Sequence, residues 1–197
     1  MEKAVELYKQ FGNNGYIGES VTQLEHAVQC ALLAEEYCDN NKENLIKNDL
    51  IVGALFHDIG HLIFYNNPEL ETMEEYGVMN HELVGSTYLK KLGFNDNICS
   101  FGENHIKTKR YLITTNPDYY NKLSDASKKT FEFQGGKLID KEIDEFETNK
   151  LFRYHLKIRE FDDKAKSTEK ELLNKIKNMD ILQYYSKFVS KKLLNEE

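Results

Sequence analysis

Residues 50–61 read Leu50-Ile-Val-Gly-Ala-Leu-Phe-His-Asp-Ile-Gly-His61, an apolar run that ends in two histidines and an aspartate. The run is apolar on every face of a helix, so it predicts a central, buried helix over about residues 48–62. A buried His57 beside a buried Asp58 is costly unless a metal ion or a polar partner neutralises the pair. Adjacent helical residues point about 100° apart, so the two side chains can flank one ion or share the carboxylate between two. The segment therefore predicts a central helix that ends in a candidate pair of metal ligands.

Helix signals continue on both sides of this segment. Thr22 and Glu25 have the spacing of a capping box, and apolar residues follow them at helical intervals. The chain has two prolines, and no glycine follows Gly136, so strand and turn signals are scarce. Further helices are predicted over about residues 3–11, 22–38, 81–92, 96–105 and 124–133. We expect an all-α fold with one domain over residues 1–197, ending in a helix over about residues 168–196.

Composition limits the class of protein. The 197 residues are 40% hydrophobic, which excludes wholesale disorder. Lys and Arg number 26 against 33 Asp and Glu, so the net charge of −7 disfavours a broad nucleic-acid-binding face. The sequence has no apolar stretch long enough to span a membrane, and its start is charged and amphipathic. Three cysteines without a CxxC pair fit reduced thiols, so we expect a cytoplasmic protein. From the net charge and the lack of a long apolar stretch, we expect no membrane or nucleic-acid partner.

Histidines are spread over several predicted helices. A single histidine in a helix is most often a hydrogen-bonded structural residue, and His155, in a charged segment, keeps that interpretation. The combination is different, because His26, His57, His81 and His105 each lie at the end or on the inner face of a predicted helix. Four helices that each offer a ligand to a common centre build a metal site in a bundle core.

This pattern resembles the HD-domain metalloenzymes, and the two extra histidines match their dinuclear branch. Seven short segments then resemble the mixed-valent diiron oxygenases that cleave organophosphonates, over about residues 16–166. They are Tyr16-Ile-Gly-Glu19, Gln23-Leu-Glu-His26, His81-Glu-Leu-Val-Gly85, Lys109-Arg-Tyr-Leu112, Leu123-Ser-Asp-Ala-Ser127, Gln134-Gly-Gly136 and Lys157-Ile-Arg-Glu-Phe-Asp162. The resemblance implies a single HD-type helical bundle with a dinuclear metal site in its core.

Residue by residue, the resemblance implies two iron positions. One iron would be bound by His26, His57 and Asp162, the other by His81 and His105, and Asp58 would bridge them. Tyr16 would occupy an iron position until substrate displaces it, and Glu19 would receive an ammonium group of the substrate. The residues expected to contact substrate are Glu19, His61, Lys109, Ser127, Gln134 and Arg159, and those expected to act in catalysis are Tyr16, Glu19 and His61.

The implied reaction uses an Fe(II)/Fe(III) centre and O2 as cosubstrate. It would cleave the C–P bond of a 1-hydroxy-2-amino (or 2-trimethylammonio) ethylphosphonate, giving phosphate with glycine or glycine betaine. An HD-domain phosphohydrolase with a metal-activated water, a non-catalytic HD module and an oxygenase that opens a polyol ring remain alternatives. Manganese or zinc would accept much the same ligands, and neither the preferred phosphonate nor the oligomeric state is predicted.

Overall fold

The computed structural model describes residues 1–189, and within that range it forms twelve α-helices and no strand. Their bounds are α1 Glu2–Phe11, α2 Gln23–Asn41, α3 Lys47–Phe56, α4 Gly60–Ile63, α5 His81–Lys91, α6 Asp96–Thr115, α7 Pro117–Lys122, α8 Asp125–Phe133, α9 Asp140–Glu147, α10 Phe152–Lys164, α11 Lys170–Lys177 and α12 Ile181–Tyr185. The predicted all-α fold is confirmed. None of these helices is both long and apolar enough to cross a membrane.

The apolar helix α3 lies at the centre of the bundle. It packs against α2, α6 and α10, and every residue from Leu50 to Phe56 is buried. Helix α2 begins with the predicted capping box, in which Thr22 and Glu25 each bond the other's backbone N–H. A cap of this kind fixes where the helix begins and therefore which of its residues face α3.

The predicted helix over residues 48–62 is interrupted at the His57-Asp58 pair. Ile59 N–H bonds the carbonyl of Phe56 at 3.1 Å and His61 N–H bonds that of Asp58 at 3.0 Å, so the chain tightens to bonds between residues three apart. A tighter turn changes the direction of the side chains relative to a continuous helix. It brings the pair to the end of α3 and starts α4 immediately afterwards.

Two other predicted helix boundaries are also wrong. Helix α6 continues ten residues beyond His105, because no breaker occurs before Pro117 and Ile106, Lys109 and Ile113 are buried along one face. The predicted helix over residues 168–196 is instead α11 and α12. Asp180 accepts a bond from Gln183 N–H and caps a new helix there, while residues 190–196 lie outside the described residues.

Gly60 lets α5 approach the turn, and Gly60→Ala tests this contact. A Cβ there would lie 2.0 Å from the His81 carbonyl oxygen, so α5 must move. We expect the free energy of unfolding to fall by about 1–3 kcal/mol in chemical denaturation. Gly15→Ala is the control, because no heavy atom lies within 4 Å of its added Cβ. Equal losses of stability in the two variants would show that Gly60 is not needed for packing.

Candidate functional site

Four buried histidines meet in two pairs at the centre of the bundle. His26 on α2 and His57 at the end of α3 have their Nε2 atoms 3.3 Å apart. His81 at the start of α5 and His105 on α6 have theirs 3.1 Å apart. Five segments of the bundle thus contribute to one cluster, since Asp162 of α10 joins the first pair.

Hydrogen bonds fix the orientation of all four rings. Each Nδ1 lies against a backbone carbonyl: Ala165 for His26 (3.0 Å), Ala54 for His57 (2.8 Å), Val78 for His81 (3.1 Å) and Gly102 for His105 (2.6 Å). A carbonyl can only accept, so in each neutral ring the proton is on Nδ1 and the lone pair is on Nε2. Second partners of this kind commonly orient imidazoles that bind metals. The four lone pairs converge on the same small volume.

Asp58 lies between the two histidine pairs. Its Oδ2 is 3.7 Å from His26 Nε2 and 3.3 Å from His57 Nε2, and its Oδ1 is 3.5 Å from His81 Nε2 and 3.1 Å from His105 Nε2. Oδ1 is buried and accepts no hydrogen bond from any described residue, which is costly without a cation beside it. One oxygen of the carboxylate therefore faces each histidine pair.

Asp162 of α10 also lies close to the first histidine pair. Its Oδ1 is 3.5 Å from His26 Nε2, and its Oδ2 is 2.7 Å from Nη1 of Arg159. Burial disfavours the ionised form of this carboxyl, but Arg159 holds its pKa well below the usual range. The cluster thus contains two buried carboxylates.

The two carboxylates favour a positive charge on His57, whereas burial disfavours one on His26. Burial lowers the pKa of His26 to about 4. Burial acts on His57 in the same direction, yet Asp58 and Asp162 raise its pKa to about 10. Two ligand sets share Asp58, and within each set the ligand atoms lie within 4.8 Å of one another: His26, His57, Asp58 and Asp162, and Asp58, His81 and His105. A third group of this kind is His26, Cys30 and His57. Imidazole and carboxylate ligands in this arrangement fit two divalent or trivalent transition-metal ions.

A cavity opens beside the cluster. The predicted catalytic and substrate residues all line it, namely Tyr16, Glu19, His61, Lys109, Ser127, Gln134 and Arg159, together with Asp58, His81, His105 and Asp162. The structure thus brings together residues that are up to 146 positions apart in the chain.

Lys109 is a buried cation at one end of this cavity. It lies one turn beyond His105 on α6, is 2% exposed, and donates from Nζ to the Ser127 carbonyl (3.0 Å) and to Thr130 Oγ1 (2.9 Å). Burial and the charge of Arg159 lower its pKa to about 7. Within residues 1–189, Nζ has no carboxylate partner, so an anion that enters the cavity would stabilise its charged form. The amide oxygen of Gln134, also in the lining, is buried and unpaired.

Tyr16 covers the cluster from the loop before α2. Its ring stacks on His26 with centroids 3.8 Å apart, and its hydroxyl donates to Asp58 Oδ2 at 3.0 Å. Burial and the nearby Asp162 raise the pKa of the phenol well above its usual value, so the hydroxyl keeps its proton beside these carboxylates. Tyr16 therefore lies within contact distance of the predicted metal ligands.

His61 presents a donor to the cavity. Val78 N–H donates to its Nδ1 at 3.1 Å, which puts the ring proton on Nε2. Its ring stacks on His81 at 3.9 Å, and burial together with His81 lowers its pKa well below the usual value. A neutral imidazole of this tautomer can donate one hydrogen bond to a bound molecule.

Arg159 and Glu19 line the cavity with partners of their own. The guanidinium of Arg159 bonds Asp162 and Asp163 and donates from Nε to the hydroxyl of Tyr119 at 2.9 Å. Glu19 Oε1 is 2.6 Å from Nζ of Lys166. Sequence reasoning missed Thr130 and Lys166. Thr130 could have been found from its position three residues after Ser127, on the same helix face.

His155 is buried but lies outside the cluster. Its ring packs between Phe101 and Phe146, and burial lowers its pKa to about 4. It belongs to neither ligand set.

Comparison with known proteins shows the family to which the chain belongs. Residues 24–181 match the family model of the HD domain. An uncharacterized protein of Acanthamoeba polyphaga mimivirus, L432, is 44% identical over 168 residues, covering 85% of this chain and 73% of the relative.

Two relatives carry the names of enzymes. Hydroxymethylphosphonate dioxygenase of Gimesia maris is 33% identical, covering 96% of this chain and 88% of the relative. The glycine-betaine-forming [1-hydroxy-2-(trimethylamino)ethyl]phosphonate dioxygenase of Leisingera caerulea is 34% identical, covering 84% and 79%. With a matching HD domain and such identity over most of its length, the protein belongs to the HD-domain phosphonate dioxygenases.

Proposed function

We propose that this protein uses O2 to cleave the C–P bond of a 1-hydroxyphosphonate, giving a carboxylic acid and phosphate. The C1–H and C–P bonds break, and both oxygen atoms of O2 end in the two products, so atoms balance without another oxidant. The observation that carries the proposal is a buried lysine, Lys109, which lines the same cavity as Asp58, His81, His105 and Asp162 of the predicted ligand sets.

We further propose iron as the metal, in an Fe(II)/Fe(III) pair. His26, His57 and Asp162 would hold one ion, His81 and His105 the other, and Asp58 both. The unpaired Oδ1 of Asp58 and the converging lone pairs of the four rings support this ligand set. When bound, the iron pair supplies the activation of O2 that amino acid side chains cannot.

The chain's own groups would position the substrate and exclude water. Lys109 would bind the phosphonate as a charge-assisted donor, next to the first turn of α8 that carries Ser127. His61 would donate a hydrogen bond from its Nε2–H to the bound substrate. Tyr16 would hold one metal position closed until the substrate arrives, which is supported by the 3.0 Å contact of its hydroxyl with Asp58. Arg159 would orient Asp162 as well as face the substrate.

At the other end of the substrate, we propose a positively charged nitrogen on C2. Glu19 is the only carboxylate lining the cavity that belongs to neither ligand set, among the residues the structure describes. A 2-amino substituent would give glycine as product, and a 2-trimethylammonio substituent would give glycine betaine. The chain has no Trp for an aromatic cage, so we favour the primary amine.

The test is phosphate release by protein loaded with iron under anaerobic conditions. We expect phosphate from 2-amino-1-hydroxyethylphosphonate only after O2 is admitted, and less from the trimethylammonio compound and from hydroxymethylphosphonate. p-Nitrophenyl phosphate is the control for the phosphohydrolase alternative. Hydrolysis of this ester without O2, together with no phosphate from any hydroxyphosphonate, would overturn the proposal.

A further inference from the structure

One wall of the cavity carries an ion pair in which one partner, Lys166, has no role in the proposed reaction. Lys166 Nζ lies 2.6 Å from Glu19 Oε1, and the two side chains are 21% and 16% exposed. Both residues line the cavity that contains Asp58 and Lys109. A substrate that reaches Glu19 therefore meets a carboxylate that already has an ammonium partner.

The backbone on both sides of Lys166 is anchored in the core. The Ala165 carbonyl bonds Nδ1 of His26 at 3.0 Å. Ser167 bonds the Gln29 side chain twice, through its N–H (2.9 Å) and its carbonyl (3.1 Å). The backbone of Lys166 is thus already fixed, so forming the contact with Glu19 costs side-chain entropy but little backbone entropy.

The backbone that carries Glu19 is also fixed. Glu19 N–H bonds the Tyr16 carbonyl at 3.0 Å to close a turn, in which Gly18 has a φ of +72°. A Cβ on Gly18 would lie 2.6 Å from Cβ of Ala126, so this turn packs closely against α8, the helix that carries Ser127. The two charges thus face each other from two independently held segments.

The charges around the cavity divide into separate groups. Arg159 is bonded to Asp162 and Asp163, and no carboxylate in the described part of the chain pairs with Lys109. Glu19 and Lys166 cancel one another. The part of the cavity lining formed by Glu19 and Lys166 therefore has no net charge, although it contains a carboxylate.

We propose that Lys166 determines selectivity for the substrate's tail, by occupying the position on Glu19 that the ammonium of an aminated substrate would take. The inference rests on the proposed function, because it assumes that a phosphonate binds at Lys109. An aminated tail must displace Lys166 or share Glu19 with it, and sharing places two positive charges close together. An uncharged tail does not compete with Lys166.

The experiment compares two ligands that differ only in charge at the end of the tail. 2-Aminoethylphosphonate and propylphosphonate have similar size, and neither has the 1-hydroxyl group that the reaction requires. Calorimetry on anaerobic, iron-loaded protein gives the ratio of their affinities. Lys166→Met should raise this ratio in favour of the amine by about 3- to 10-fold, because a partly exposed pair with good geometry contributes that much. Lys166→Gln should change it in the same direction.

Two further variants complete the design. Glu19→Gln should lower the ratio, since it removes the carboxylate for which the two ammonium groups compete. Lys164→Met is the matched control, because Lys164 bonds Glu160 outside the cavity, and it should leave the ratio unchanged.

The binding results would distinguish failure of the Lys166 proposal from failure of the proposed function. If both phosphonates bind but neither Lys166 variant changes the ratio of affinities, Lys166 does not compete with the amine for Glu19. The proposed phosphonate site at Lys109 would be unaffected by that result. If neither phosphonate binds to the unmodified protein or to any variant, the proposed function fails and the inference fails with it.

Discussion

Asp58→Asn is expected to abolish activity and to remove metal from both positions. Each carboxylate oxygen faces a different histidine pair, at 3.3 and 3.7 Å on one side and 3.1 and 3.5 Å on the other. Loss of one partner from a buried charged set costs about 3–5 kcal/mol, which is about 150- to 5,000-fold in affinity. Metal analysis after iron loading should give about two irons per chain for the unmodified protein and few for the variant.

His155→Phe is the control for a change at a buried histidine. The ring lies in the same bundle between Phe101 and Phe146, but it joins neither ligand set. This variant should keep its iron and its activity. Full iron content in Asp58→Asn would contradict a bridging role, and selective loss of one ion would show that Asp58 serves a single position.

Lys109→Met is expected to lower kcat/KM by about 10- to 150-fold while metal content stays normal. The methionine keeps the apolar stem, so the change removes chiefly the charged donor, and a hydrogen bond to a charged group contributes about 1.5–3 kcal/mol. Steady-state kinetics with the hydroxyphosphonate measures the loss. Lys129→Met, on the exposed side of α8, should leave kcat/KM within about twofold.

The effect of Lys109→Met should depend on pH. Burial and the Arg159 charge lower the pKa of Lys109 to about 7, although Asp162, Asp163 and Asp58 act in the opposite direction. Lys109 in the free protein is therefore charged below pH 7 and loses its proton above it, and kcat/KM reports on the free protein. The ratio of unmodified to variant kcat/KM should be largest below pH 7 and fall as the pH rises. A constant or rising ratio would assign the anion to another group.

Local signals in the sequence predict part of the cluster of histidines and aspartates. The capping box at Thr22 fixes the register of α2 and so of His26, and the apolar run before His57 predicts its burial. The tight turn after Phe56 was not predictable, because a continuous helix satisfies the same apolar pattern. At Gly60, just after this turn, a Cβ would lie 2.0 Å from the His81 carbonyl oxygen, a close approach of α5 that only the fold reveals.

Contacts between distant parts of the chain were the least predictable. Glu19 and Lys166 are 147 positions apart, and Lys166 lies in a charged segment that reads as solvent-exposed. Arg159 was predicted to face the substrate, and the structure shows that its guanidinium also bonds two aspartates. Those aspartates lie three and four residues after Arg159 on α10, a spacing that the sequence does show. The pairing of Glu19 with Lys166 depends on the fold, and no local pattern encodes it.

The most direct test of the proposed dioxygenase activity is simultaneous measurement of O2 uptake and phosphate release. Iron-loaded protein would be mixed with 2-amino-1-hydroxyethylphosphonate in a sealed oxygen-electrode cell, and phosphate and glycine assayed in the same sample. We expect O2 consumed, phosphate released and glycine formed in equimolar amounts, with none of the three in the Asp58→Asn variant. Phosphate released without O2 uptake would contradict oxidative C–P cleavage and assign the centre to hydrolysis.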